Sequence, residues 1–90
     1  MLALAACATA PPVQEMSDAR QAIRAAEAVG AARRSPDSLL AAQRLLQEAQ
    51  TQLEAGAYTS ARRYALDARD AAIRAREIAT KAPPPPSLSP

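Results

Sequence analysis

The sequence predicts an all-α fold, with three helices in an antiparallel arrangement built on an alanine-rich helical hairpin. Three observations carry that prediction. Apolar residues recur at alternating steps of three and four in three successive segments, which stacks them on one face of a helix. Period-two alternation is absent, and the abundant alanine, arginine and glutamate are poor strand formers. Pro36, Gly56 and the run Pro83 to Pro86 punctuate the chain between and after these segments.

The first helix is placed at about 14–33. Met16, Ala19, Ile23, Ala26 and Gly30 share the spacing, flanked by Ala22 and Val29. Gly30 reads either as the end of this helix or as a close crossing inside it. The helix must stop by Arg34, because Ser35 precedes a proline and is biased away from helical backbone. Arg33 and Arg34 suit a helix C-terminus electrostatically, with contact to an anionic lipid or partner as the alternative reading.

The second helix, about 36–55, has its start written in three consecutive residues. Ser35 can cap it, Pro36 suits the first helical position, and Asp37 meets the positive end of the dipole. Leu39, Ala42, Leu46, Ala49 and Leu53 form its inner face, and Gly56 can close it in a left-handed conformation. The third helix, about 58–80, repeats the spacing through Tyr58, Ala61, Ala65, Ala68, Ala72, Ala75 and Ala79. A short glycine turn sets these two helices antiparallel. The alanine seam then lets their backbones approach closely, with leucines filling the remaining space. Tyr58 and Tyr64 are expected at the core or its edge, with hydroxyls reaching water.

Gly56-Ala-Tyr58-Thr-Ser-Ala61, followed by Ala65 and Ala68, resembles the glycine–tyrosine–alanine core of a tetratricopeptide hairpin. Repeat arrays need about three or more units, and this chain has one. The resemblance therefore implies a single hairpin and not a solenoid with a peptide groove.

Charge and composition exclude several functions. Ten arginines and one lysine oppose nine acids, a net charge of +2. The basic residues are interspersed with acids, where a nucleic-acid surface would cluster them. Two tyrosines are the only aromatics, so stacking platforms for single strands are missing. The core must come from alanine, leucine, isoleucine and valine, which predicts modest stability for so small a domain. There is no histidine, and Gly30 and Gly56 are the only glycines, which leaves no phosphate-binding loop. Glu48 and Glu54 have no partner for acid–base work or metal ligation. The expectation is a protein that is not an enzyme and takes no cofactor, metal or small-molecule substrate.

One face of the third helix stands apart. Arg62, Arg69 and Arg76 are seven residues apart and run beside Leu66 and Ile73, more than 90° round from the alanine seam. The first helix is expected to cover Leu66 and Ile73; otherwise the strip is a candidate surface for a partner helix. Arg63, Asp70 and Glu77 form a second stripe, read as a solvated face with Asp70–Arg74 and Glu77–Lys81 pairs.

At the N-terminus, Leu4-Ala-Ala-Cys7 resembles the lipobox of bacterial lipoproteins, in which small residues precede the cysteine that becomes lipidated. The resemblance implies acylation at Cys7, with residues 1–6 as the remnant of a signal and 7–13 as a flexible linker. A signal needs a positive region and about 7–15 apolar residues, whereas six uncharged residues precede Cys7. Met1 is therefore expected to be an internal methionine of a longer signal. The segment is also far short of the roughly 20 residues that span a bilayer. Ala8 carries no acidic retention signal, which implies the outer membrane, on its periplasmic face. A single cysteine leaves no intrachain disulfide. Residues 82–90 are read as a proline-rich spacer or disordered end.

From Cys7 to Pro90 the chain resembles a family of small bacterial envelope lipoproteins whose helical domain has no assigned function. The domain that it resembles is also found in front of peptidoglycan-binding OmpA-type modules, and wall binding is not carried over to this chain. The resulting expectation is a non-catalytic periplasmic lipoprotein, held to the membrane by its lipid, whose helical face engages another envelope protein or a second copy. The alternative is a soluble cytosolic helical adaptor that pairs with a partner coiled coil.

Overall fold

A computed structural model describes residues 10–81. The chain is all-α: α1 is Val13–Ala28, α2 Ala31–Arg34, α3 Pro36–Glu54 and α4 Tyr58–Lys81. Three of these helices are long, all four pack together, and the described residues contain no strand. The expectations for residues 1–6, the lipid-bearing Cys7 and the tail 82–90 lie outside the described residues.

The organising element is α4. It packs on α3 most extensively, then on α1, and also on α2, whereas α1 and α3 share a much smaller contact. Ala61, Ala65, Ala68, Ala71, Ala72, Ala75 and Ala79 are all buried along α4. Methyl side chains every three or four residues give α4 a face without protrusions, so neighbouring helices can lie close to its backbone. Elsewhere the core is also thin. Of the 15 buried hydrophobic residues only Met16, Ile23 and Leu39 are larger than alanine. Ile23, Ala26, Leu39, Ala42 and the later α4 alanines make one cluster. Met16, Ala49 and Ala65 make another, with Leu46, Leu53 and Tyr64 packed against it. Leu46 and Leu53, placed in the core from their spacing, are half-buried.

The first helix requires a correction. It does not run through residue 33: α1 stops at Ala28, and Gly30 stands at φ +86° before the single turn of α2. That left-handed backbone excludes Gly30 from a continuous helix and makes it a hinge of direction. Ala31 is buried just after it, so the break turns the chain inward.

Gly56 does what its position suggests. At φ +78° it lets Ala57 N–H donate to Gln52 O at 2.9 Å and its own N–H donate to Leu53 O at 3.0 Å. These two bonds satisfy the carbonyls left over at the end of α3 in a Schellman arrangement. Ser35 behaves differently from expectation. Its carbonyl accepts from Leu39 N–H as a helix start should, but its hydroxyl makes no capping bond. That buried hydroxyl instead donates to Ala75 O on α4 at 2.6 Å. Next to it, Arg34 Nη1 donates to Ala79 O at 3.4 Å. The residue four beyond Ala79 is Pro83, which has no N–H to give that carbonyl. Arg34 supplies the missing donor, and the α2–α3 corner is pinned to the last turns of α4.

The described part of the linker read over 7–13 is docked on the domain. Pro12 is fully buried, Val13 already begins α1, and Ala10 O accepts a bond from Arg62 Nη2 at 3.0 Å.

Candidate interaction surface

The stripe Arg62, Leu66, Arg69, Ile73 and Arg76 lies along α4 at steps of four and three, and the fold divides it in two. At its start, α1 is engaged. Arg62 Nε sits 3.4 Å from Glu15 Oε2, while its Nη2 reaches Ala10. With about a third of each side chain exposed, this pair is partly shielded from solvent and fixes where the chain enters α1. Leu66 is half-buried and floors a shallow hollow lined by Thr59, Arg62, Arg63 and Asp67.

Past Leu66 the cover ends. Ile73 is 43% exposed and Arg76 is exposed. The first helix is expected to cover Leu66 and Ile73; Ile73 stays open, and Leu66 is half-buried. Arg69 stands at the boundary. Its Nη2 lies 3.2 Å from Asp70 Oδ1, and its Nε is buried without a hydrogen-bond partner. Asp70 thus takes Arg69 as its partner and not Arg74. Among the described residues the ion pairs are Arg62–Glu15 and Arg69–Asp70, so the expected Glu77–Lys81 pair does not form.

A second shallow hollow lies where α1 and α2 meet α3, lined by Glu27, Ala32, Pro36, Leu39, Leu40 and Gln43. Gln43 Nε2 bridges it to Glu27 Oε2 at 3.2 Å, and Leu40 is 47% exposed on its rim. The described residues hold no group of three metal-ligating side chains and no helix long and apolar enough to cross a membrane. What the surface offers chemically is contact: an aliphatic side chain flanked by guanidinium groups that can pair with carboxylates.

Sequence reasoning missed two features. The Arg62 clamp on Ala10 and Glu15 joins residues 47 or more apart in the chain, and no local pattern encodes it. The Arg34 contact had a signal in Pro83, whose missing N–H orphans a carbonyl one turn earlier.

A family model described as a domain of unknown function, DUF4398, matches residues 14–83. No curated protein matches, and no solved structure does.

Proposed function

Because the chain belongs to the DUF4398 family, whose function is not assigned, we propose a role from its own residues: a non-catalytic helical interaction module of the bacterial cell envelope. Cys7 carries the lipid, which holds the protein at the periplasmic face of the outer membrane. The three long helices run up, down and up, so α1 and α4 are parallel and α3 is antiparallel to both. The open half of the α4 stripe, Arg69, Ile73 and Arg76, engages another envelope protein or a second copy.

The single observation that supports this most is Ile73. It is a large aliphatic residue 43% exposed in the middle of the longest helix, on a protein whose buried core consists mostly of alanine. The mechanism is tethering: the lipid fixes one end in the membrane plane, and the helical face binds with its orientation already restricted.

Growth of cells making the full-length protein with labelled palmitate tests the anchor. Incorporation that disappears in Cys7→Ser is the expected result. Equal labelling of both forms, or labelling of neither, contradicts it.

A further inference from the structure

The tether emerges at a defined place on the domain. Ala10 O is held by Arg62 Nη2 at 3.0 Å, Pro12 is fully buried, Val13 N–H donates to Pro11 O at 2.9 Å and Met16 N–H to Pro12 O at 3.0 Å. The chain is thus docked from Ala10 onward. Three residue steps separate Ala10 from Cys7, which span at most about 11 Å when fully extended.

This exit lies at the end of the bundle that carries the α3–α4 turn. Arg62, one turn into α4, pairs with Glu15 in the first turn of α1. Leu53, near the end of α3, packs on the same cluster as Met16. Two uncharged stretches meet here, Ala10-Pro-Pro-Val-Gln14 and Ala55-Gly-Ala-Tyr-Thr-Ser-Ala61. Val13 is 70% exposed, more than any other large hydrophobic among the described residues, and Tyr58 is half-buried. At the far end Arg33, Asp37, Glu77 and Lys81 are all exposed.

We infer that the uncharged tip formed by these two stretches rests on the lipid surface itself, with Val13, the Ala55–Ala57 turn and Tyr58 at headgroup level and the Ser35 corner facing away. The inference rests on the anchor at Cys7. Two further arguments favour it. Uncharged groups lose little hydration on approaching headgroups, while an aliphatic side chain and a tyrosine are suited to that boundary. Glu54 and Arg63, both exposed, and the partly shielded Arg62–Glu15 pair ring the same end, which limits contact to the headgroup layer. The surface stripe at Ile73 then stands about 22 Å from the membrane, fifteen residues up α4 at 1.5 Å each.

The test uses the acylated full-length chain in phosphatidylcholine vesicles, a fraction of whose headgroups carry a nitroxide quencher. Acylation blocks the only cysteine, so a thiol-reactive fluorophore reports on Ala55→Cys or Ala32→Cys alone. Both positions are exposed, and unchanged helical circular dichroism verifies the fold of each variant. Several-fold stronger quenching at position 55 than at position 32 is expected. Equal quenching, or stronger quenching at 32, overturns the orientation while leaving the anchor in place. Intact mass measured beforehand separates the two: a free thiol on Cys7 removes the anchor and the orientation together.

Discussion

At the scale of single residues, backbone conformation and a few polar contacts decide where the chain turns. Gly56 has open space around the position a Cβ would occupy, yet its φ of +78° is one that L-residues adopt at a cost. Gly56→Ala should therefore destabilise the fold by about 1 kcal/mol, read as a shift of the urea midpoint at constant slope. Ser35→Ala removes the 2.6 Å bond to Ala75 O. A loss of about 1 kcal/mol is expected, since Ala75 O keeps its place in the helical ladder. An unchanged midpoint would mean that the hydroxyl is not holding the corner. Gly56 was legible as punctuation, and Pro36 marked the start of α3. The destination of the Ser35 hydroxyl was not legible, because its acceptor lies 40 residues away.

Among elements, α4 sets the spacing of the others. Leucine at a buried alanine on this helix must push a neighbouring backbone away. Ala72→Leu should cost about 1–3 kcal/mol, whereas Ile73→Ala one residue later should change stability by less than about 0.5 kcal/mol. Equal effects at the two positions, measured by chemical denaturation, would contradict the division of α4 into seam and open stripe. The same Ile73 is where a photo-crosslinking residue should give a discrete adduct in intact envelopes, while Gln50 on the exposed side of α3 should give none. The three-four spacing made the alanine face readable before any coordinates. It did not show that one face serves both α1 and α3, because periodicity records which residues face inward and not what they meet. The break at Gly30 was half readable: a glycine on the inner face fits both a stop and a close crossing, and only its positive φ decides between them.

For the molecule as a whole, composition and fold are linked through a thin core. A buried methyl group contributes about 0.8 kcal/mol, so twelve buried alanines supply little of the hydrophobic stabilisation that leucines would. High helix propensity and close packing offset part of that deficit. On the proposed reading the lipid fixes one end, and a partner would be taken on the faces left free, where Ile73 and Arg76 lie. The all-α class was readable from the sequence in full, whereas the clamp that docks Ala10 against Arg62 came only with the fold. The anchor at Cys7 is the claim from which location, orientation and mechanism all proceed. Intact-mass measurement of the protein made from its own start codon and extracted from envelopes addresses it directly. The account predicts a chain that begins at Cys7 and carries the added mass of acyl groups. A chain of unmodified mass with a free thiol would contradict it.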